Sequence, residues 1–344
     1  MKIDPKNILV LDFGQLGDVV LSLPALSAIR ERFPGARITV AGGLAATQVV
    51  EMSGTADRTL AIDRVSLRDG SKWRGVLSLM QLVAEVRRAR YDLVIDLHSL
   101  SESNLLGYLS GAPARVFAQR GGRSLDLLAT MRTPWEDRAK HLADRYLDVL
   151  VPLGIAGASR VPHLPTRPED DQAVQQMLEG RGVSGDLPLV GLFPGGSRPF
   201  KRWPLERFAE FASLLERNEG ARTVVFLGPE ETEMALRMRS AFSPAALVLD
   251  ELTLSQVASV AARLNLFVSN DSGPMHLAAA VGTPVLLLLG APIPGPYWFG
   301  PVGEQHRIMV RKSLAQISVA EVYAAARSML RAGARSRECL AQKD

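Results

Sequence analysis

A chain of 344 residues is longer than one hydrophobic core usually organises, so two domains are expected. Its apolar fraction of 47% is ordinary for a globular protein, its net charge of +4 is too mild to imply nucleic acid, and its one cysteine excludes an intramolecular disulfide framework. The greasiest run, residues 285–289, is far short of the roughly 20 residues that cross a bilayer. The N-terminus places an acid and a proline where a secretory core would be apolar, so a cytoplasmic protein without a signal peptide is expected.

Short apolar runs alternate with helical periodicity from end to end, the signature of parallel α/β architecture. In chain order, strands are expected at residues 8–11, 38–41 and 93–96, with helices at 18–33, 77–89 and 139–151. From 154 to 171 the chain is rich in Pro, Gly and Ser and lacks periodicity, which reads as a linker. Beyond it, strands are expected at 189–193, 223–227, 266–268 and 284–289, with helices at 205–218, 231–242, 254–263 and 274–281. A last helix is expected at 319–331, and the charged remainder to 344 is expected to fray. The fold class is α/β, with two doubly wound, Rossmann-like domains that present the C-terminal ends of their strands to ligand. The pattern alone admits several two-domain α/β families.

Three loops carry chemistry-bearing residues. In LDFGQLGDVVLSLPAL (residues 11–26) a strand ends near Asp12, Gly14 and Gly17 allow a turn, and Asp18 falls where a helix begins. Free backbone N–H groups and the helix dipole would hold that carboxylate ionised, and a plain helix cap explains it equally well. The spacing is not the dinucleotide fingerprint GxGxxG. In GLFPGGSRPFKRWPLERFAEF (residues 191–211) Gly195 and Gly196 let the backbone approach an anion, while Ser197 and Lys201 offer a hydroxyl and a charge to phosphate. The competing reading leaves Lys201 and Arg202 as solvated charges. In LFVSNDSGPMHLAAAVGTPVLLLLG (residues 266–290) a polar turn leads into a helix with Pro274 in its first turn. The N–H groups of Gly273, Met275 and His276 suit a diphosphate at that helix start. Alternatively Asp271 or Ser272 only caps the helix and His276 packs inward.

Together and in this order, these loops resemble glycosyltransferase family 9, the ADP-heptose:lipopolysaccharide heptosyltransferases. The resemblance runs from about residue 8 to 330. Its most specific elements are DSGPMH (271–276) and LGDVVLSLPAL (16–26), supported by RYDLVIDLHSL (90–100), KHLADRYLDVLVPLGI (140–155) and LGPEETEMA (227–235).

The resemblance implies a GT-B fold, two Rossmann-like domains facing across a cleft. Residues 1–160 would be the acceptor side and 161–318 the nucleotide-sugar side. Residues 319–333 would form a helix packing back on the first domain, and 334–344 a flexible tail. It implies an inverting transferase that needs no metal and moves a sugar, heptose from ADP-heptose, onto a lipopolysaccharide-core-type or other glycan acceptor. By resemblance Asp18 is the general base, and Gly195, Gly196, Ser197 and Lys201 hold the donor diphosphate. Glu231, or the adjacent Glu230, binds the ribose hydroxyls, and Leu252 lies in the adenine pocket. Asp271, Ser272, Gly273 and His276 form the sugar- and phosphate-binding turn. Gly17, Arg120 and Arg123 belong to the acceptor side, where Arg115, Arg132, Arg138 and Lys140 add charge suited to the phosphates of a lipid-linked saccharide at the inner face of the cytoplasmic membrane.

No Asp-x-Asp pair of the metal-dependent glycosyltransferases is present. Two departures leave the acceptor and sugar open: Asp12-Phe13-Gly14 stands where family members often carry a basic residue, and Pro199-Phe200 where polar residues are common. A nucleotide-sugar epimerase and a non-catalytic nucleotide-sugar or glycan-binding module on the same fold are the alternatives. A dinucleotide-dependent oxidoreductase ranks last, because no complete glycine fingerprint is present.

Overall fold

The computed structural model describes residues 3–62, 72–183, 187–196, 198–228, 235–290 and 298–341. They divide into two compact units, residues 1–163 and 164–344.

The first unit is a parallel sheet of β1 (Asn7–Asp12), β2 (Arg37–Gly42), β3 (Arg58–Ala61), β4 (Leu93–Asp96) and β5 (Ala114–Phe117), in the order β3-β2-β1-β4-β5. Ile8 of β1 pairs with Ile38 on one side and Leu93 on the other. A parallel sheet is covered on both faces, so its central strands are apolar on both sides. The helices are α1 (Leu16–Arg32), α2 (Leu44–Ser53), α3 (Lys72–Arg88), α4 (Ser101–Leu109) and α5 (Leu142–Asp148). α1 is buried around most of its circumference because α2 and α5 pack on it as well as the sheet.

The second unit repeats the plan with β6 (Leu189–Phe193), β7 (Arg222–Phe226), β8 (Leu247–Leu249), β9 (Leu266–Asn270), β10 (Val285–Gly290) and β11 (Arg307–Arg311), in the order β11-β10-β9-β6-β7-β8, again all parallel. Its helices are α6 (Pro168–Gly180), α7 (Leu205–Glu219), α8 (Ala235–Ala241), α9 (Leu254–Ala261), α10 (Gly273–Ala280) and α11 (Val319–Ala341). One face of the sheet is filled by Trp203, Phe208, Phe211 and Leu215, the other by Phe226, Phe267 and Met275.

The structure differs from the sequence reading at several places. The unit boundary falls after residue 163, and α6 begins inside the stretch read as linker: its Pro at the helix start and acids Glu169, Asp170 and Asp171 are start signals that outweigh the local Pro/Gly/Ser content. The helix at 139–151 shortens to α5, followed by a single tight turn at Val151–Leu153. The last helix reaches Ala341, so helix replaces most of the expected frayed tail. Within the second unit, Val319, Val322, Ala325 and Ala326 join the core, and α11 lies against α7. Among the described residues no helix is long and apolar enough to cross a membrane.

Candidate active site

In each unit the chain starts at a central strand, runs to one edge and then returns to run to the other. The loops after the two central strands therefore leave to opposite faces and open a crevice between them, the usual ligand position of a doubly wound sheet. In the first unit those strands are β1 and β4; in the second they are β6 and β9.

The loop after β1 leads into α1, where Asp18 is the third helical residue and not its cap. The cap is Gln15, whose backbone N–H donates to Asp18 Oδ2 at 3.0 Å. Burial pushes the Asp18 carboxyl above its ordinary value. The Gln15 N–H and the charges of His98 and Arg120 oppose that shift, and the carboxylate of Asp12 adds to it. Desolvation thus outweighs the stabilisation that the helix start gives this carboxylate. Gly14 is required for close approach and not for its φ. A Cβ at that position would lie 2.5 Å from Asp18 Cβ and 3.1 Å from Asp12 Oδ1.

Behind Asp18 two further carboxyls close the ends of the central strands, both fully buried. Asp12 accepts from Ser22 Oγ at 2.6 Å and from the Gly14 N–H at 3.1 Å, and burial pushes it up. Asp96 accepts from the Ser99 N–H and from Asn104 Nδ2, each at 2.7 Å, yet burial raises it to about 7. This network shapes the loop after β4: Ser99 adopts φ +45, its Oγ donates to Asp96 O and accepts from the Ala118 N–H, and Asn104 Oδ1 accepts from the Leu125 N–H. His98, between them, is thereby held at the crevice.

The cavity there encloses about 200 Å³ and is lined by Asp18, His98, Leu100, Arg120, Arg123, Glu136, Arg138, Leu142, Arg145 and Tyr146. Glu136 gathers the arginines. Its Oε1 lies 3.1 Å from Arg120 Nε and 3.2 Å from Arg145 Nη1, and its Oε2 lies 3.6 Å from Arg138 Nε. The Glu136 and Arg120 side chains are only 8% and 10% exposed, whereas Arg138 is largely in solvent. Arg120 also donates to His98 O. The Tyr146 hydroxyl is buried and, among the described residues, has no hydrogen-bond partner. Burial and the carboxylates of Asp12 and Asp18 keep it protonated, well above the usual phenol value. With four arginines against two carboxylates the cavity favours an anionic group beside Asp18 and His98.

Of the expected acceptor-side residues, Arg120 and Arg123 line this cavity, and Gly17 precedes Asp18 in α1. Arg115 instead spends its guanidinium on the carbonyls of Leu128 and Ala112, and Lys140 pairs with Asp148 at 2.7 Å. His98, Glu136, Arg145 and Tyr146 were not anticipated individually. The only signal was that His98 falls in the stretch 90–100, and Arg145 and Tyr146 in the stretch 140–155, that accompany the three loops; Glu136 lies outside both.

In the second unit, Asn270 at the end of β9 ties the crevice together. Its Oδ1 accepts from the Trp203 N–H at 2.9 Å, and its Nδ2 donates to the carbonyls of Pro194 and Gly195. This fixes the Gly195-Gly196 turn, where the Gly196 carbonyl accepts from Arg202 Nε at 2.7 Å. Lys201 Nζ lies 3.0 Å from Asp271 Oδ2, with both side chains mostly buried, so it is not a solvated loop charge. Ser272 caps α10 by accepting from the Met275 N–H and shares a hydrogen bond with Ser269. Gly273 opens α10, His276 is buried on it, and Leu252 packs against the core beside α9. The structure thus brings Gly195, Gly196, Lys201, Asp271, Ser272 and Gly273 to one crevice. Ser197, Glu230 and Glu231 lie outside the described residues. Among the described residues no group of three or more His, Cys, Asp or Glu side chains is placed to hold a metal.

Known proteins share both sequence and fold with this chain. Lipopolysaccharide heptosyltransferase 2 of Salmonella typhimurium is 26% identical over 300 residues, covering 84% of each chain. A glycosyltransferase family 9 structure from Veillonella parvula superposes with a TM-score of 0.81 at 27% identity, covering 96% of this chain and 98% of that one. The ADP-heptose lps heptosyltransferase II structure of E. coli has the same fold, with a TM-score of 0.77 at 23% identity over 94% of this chain and 98% of that one. These likenesses place a glycosyltransferase reading above the epimerase, binding-module and oxidoreductase alternatives. Residues 79–322 match the sequence profile of Glycosyltransferase family 9 (heptosyltransferase), and the chain belongs to that family.

Proposed function

We propose that the protein transfers heptose from ADP-heptose onto a lipopolysaccharide-core-type acceptor at the cytoplasmic face of the membrane, with inversion and without a required metal. The observation that carries this reading is the cavity of the first unit, where a single half-buried carboxyl of raised proton affinity stands among four arginines. Asp18 accepts the proton of the acceptor hydroxyl as that oxygen bonds to the anomeric carbon and the bond to the nucleoside diphosphate breaks. The arginines suit an acceptor bearing phosphate or carboxylate. In the second unit, Lys201 and the N–H groups at the start of α10 meet the charge that builds on the departing diphosphate.

Calorimetry with ADP, UDP, GDP and CDP, each with magnesium or with a chelator, tests the donor side. Selective binding of ADP that is indifferent to magnesium is expected. Preference for another nucleotide would move the donor, and dependence on a divalent ion would overturn the metal-free mechanism. Transfer from ADP-heptose to a deacylated core saccharide then tests the reaction itself.

Lys201→Ala is expected to weaken ADP by about ten- to a hundredfold, the range of a lost charge-assisted contact. The variant also leaves Asp271 without its cation beside the phosphates. Equal affinity in the variant would dismiss the phosphate role. Gly14→Ala forces a methyl against Asp18 Cβ, so turnover should fall by about tenfold or more while ADP affinity stays as it was. Unaltered turnover would mean that the position of Asp18 does not limit the reaction.

A further inference from the structure

Right-handed crossovers put α3 and α4 on the same face of the first sheet, because both follow connections running toward the β5 edge. Val86 of α3, Leu106 of α4 and Phe117 of β5 share one core cluster there, and Leu128, the last residue of the short turn Asp126–Leu128, packs against it. Each element therefore already has its buried side. Each also exposes large apolar side chains outward: Leu79 and Met80 on α3, Leu105 and Tyr108 on α4, Leu125 and Leu127 at the turn. Leu127 is 100% exposed. Single exposed leucines are ordinary, but a set drawn from three adjacent elements marks an interaction surface.

The charge around this face identifies its partner. Residues 111–134 hold four arginines and one aspartate in a chain whose net charge is only +4; Arg123 and Arg132 are exposed, whereas Arg120 is withdrawn against Glu136 and Arg115 is engaged by backbone carbonyls. The Arg115 guanidinium lies 5.4 Å over the Tyr108 ring, and Arg87 and Arg88 are exposed at the end of α3. Leucine, methionine and tyrosine fringed by arginine match a bilayer interface, where apolar side chains enter the acyl boundary and guanidiniums meet anionic headgroups. The face is also continuous with the active site. Within residues 120–127, Arg120 and Arg123 line the cavity, while Leu125 and Leu127 belong to the apolar face. α4 holds that segment through Asn104 Oδ1, which accepts from the Leu125 N–H at 2.8 Å, and Ser101 Oγ, which donates to Arg123 O at 3.0 Å.

We infer that this face docks on an anionic lipid bilayer, so that a lipid-linked acceptor meets the Asp18 cavity while still anchored. The benefit of docking rests on the glycolipid-acceptor reading above; its test does not require turnover. The full chain is floated with vesicles of phosphatidylethanolamine and phosphatidylglycerol, and separately with vesicles of phosphatidylcholine alone. Binding to the anionic vesicles is expected, weakened at about 0.5 M salt as headgroup attraction is screened. Leu127→Asp should cut the bound fraction by about tenfold or more, the effect of removing one buried apolar side chain and adding a repelled charge. The full exposure of Leu127 leaves the fold intact in that variant, and Leu105→Ser with Tyr108→Ser should act in the same direction.

Equal binding by Leu127→Asp, equal binding to both vesicle types, or no binding by the unaltered chain would each overturn the inference. So would a self-associated chain that Leu127→Asp makes monomeric in sedimentation, which would identify a second copy as the partner. Transfer to a deacylated, soluble acceptor should be unaffected by Leu127→Asp. If vesicle binding holds but the unaltered chain transfers no sugar, docking stands and the proposed reaction fails.

Discussion

Asp18→Asn should lower turnover by about two to four orders of magnitude, the usual share of general-base catalysis, while ADP binds as before. The substitution is close to isosteric, and the amide oxygen can still accept from the Gln15 N–H that Asp18 now receives at 3.0 Å, so the start of α1 survives. What disappears is the capacity to take a proton. The pH profile carries a second signature of the same residue. Burial raises the Asp18 carboxyl above 3.8, with His98, Arg120 and the Gln15 N–H pulling the other way. A base works when deprotonated, so kcat/KM should rise with pH through a limb lying above the ordinary aspartate value. That limb should be missing in Asp18→Asn. Turnover within a fewfold of the unaltered enzyme would remove Asp18 from the role of base.

Glu136→Ala should destabilise the first unit by about 3–5 kcal/mol, the range found when one partner of a buried ion pair is removed. Glu136 and Arg120 are both almost fully withdrawn from water, and Arg145 shares the same carboxylate oxygen. Without Glu136 two guanidiniums are left adjacent, desolvated and mutually repelling. Arg138 adds little, because its contact is long and its side chain mostly solvated. A fall in the urea midpoint with an unchanged slope is the expected result. Glu136→Gln should lose less, since one oxygen can still accept. A midpoint that stays put in the alanine variant would show that the arginines are held by other contacts, and that Glu136 is not the organiser of the cavity.

Much of the fold was legible because burial on both faces writes itself into the sequence. β1, β2, β4, β6, β7, β9 and β10 are nearly unbroken apolar runs, and each was anticipated within two residues at either end. The four strands that escaped notice, β3, β5, β8 and β11, are the edges of the two sheets. An edge strand has one neighbour and a partly wet surface, so it needs no apolar run: β3 reads RTLA, β11 reads RIMVR, and β8 is three residues long. α4 was missed for a related reason. It buries Ser103 and Asn104, which the Asp96 network explains, and Gly107, where a Cβ would lie 3.0 Å from Phe117 Cζ and 3.2 Å from Val94 Cγ1.

The candidate site divided along the same line. Asp18, Lys201, Asp271 and Ser272 follow apolar strands within a few residues, so the strand pattern points at them. The partnership of Glu136 with Arg120 and Arg145, and the entry of His98 and Tyr146 into the same cavity, depend on chain segments brought together only by folding. No local pattern distinguishes Glu136 from any other acid in a basic stretch. The raised value of Asp96 was equally invisible, because it follows from complete burial at the end of a central strand.

The edges matter before the molecule is finished as well as after. Parallel sheets assemble slowly, since each strand waits for a distant partner, and an exposed edge meanwhile offers free N–H and C=O groups to any other chain. Here β3 begins with Arg58, β5 holds Arg115, β11 is bracketed by Arg307 and Arg311, and β8 is too short to template a partner. Two growing copies on one messenger would present these edges to each other at high local concentration. Cation facing cation then disfavours the edge-to-edge ladder that would otherwise nucleate aggregates, so residues that contribute little to the finished core protect the yield of folded enzyme.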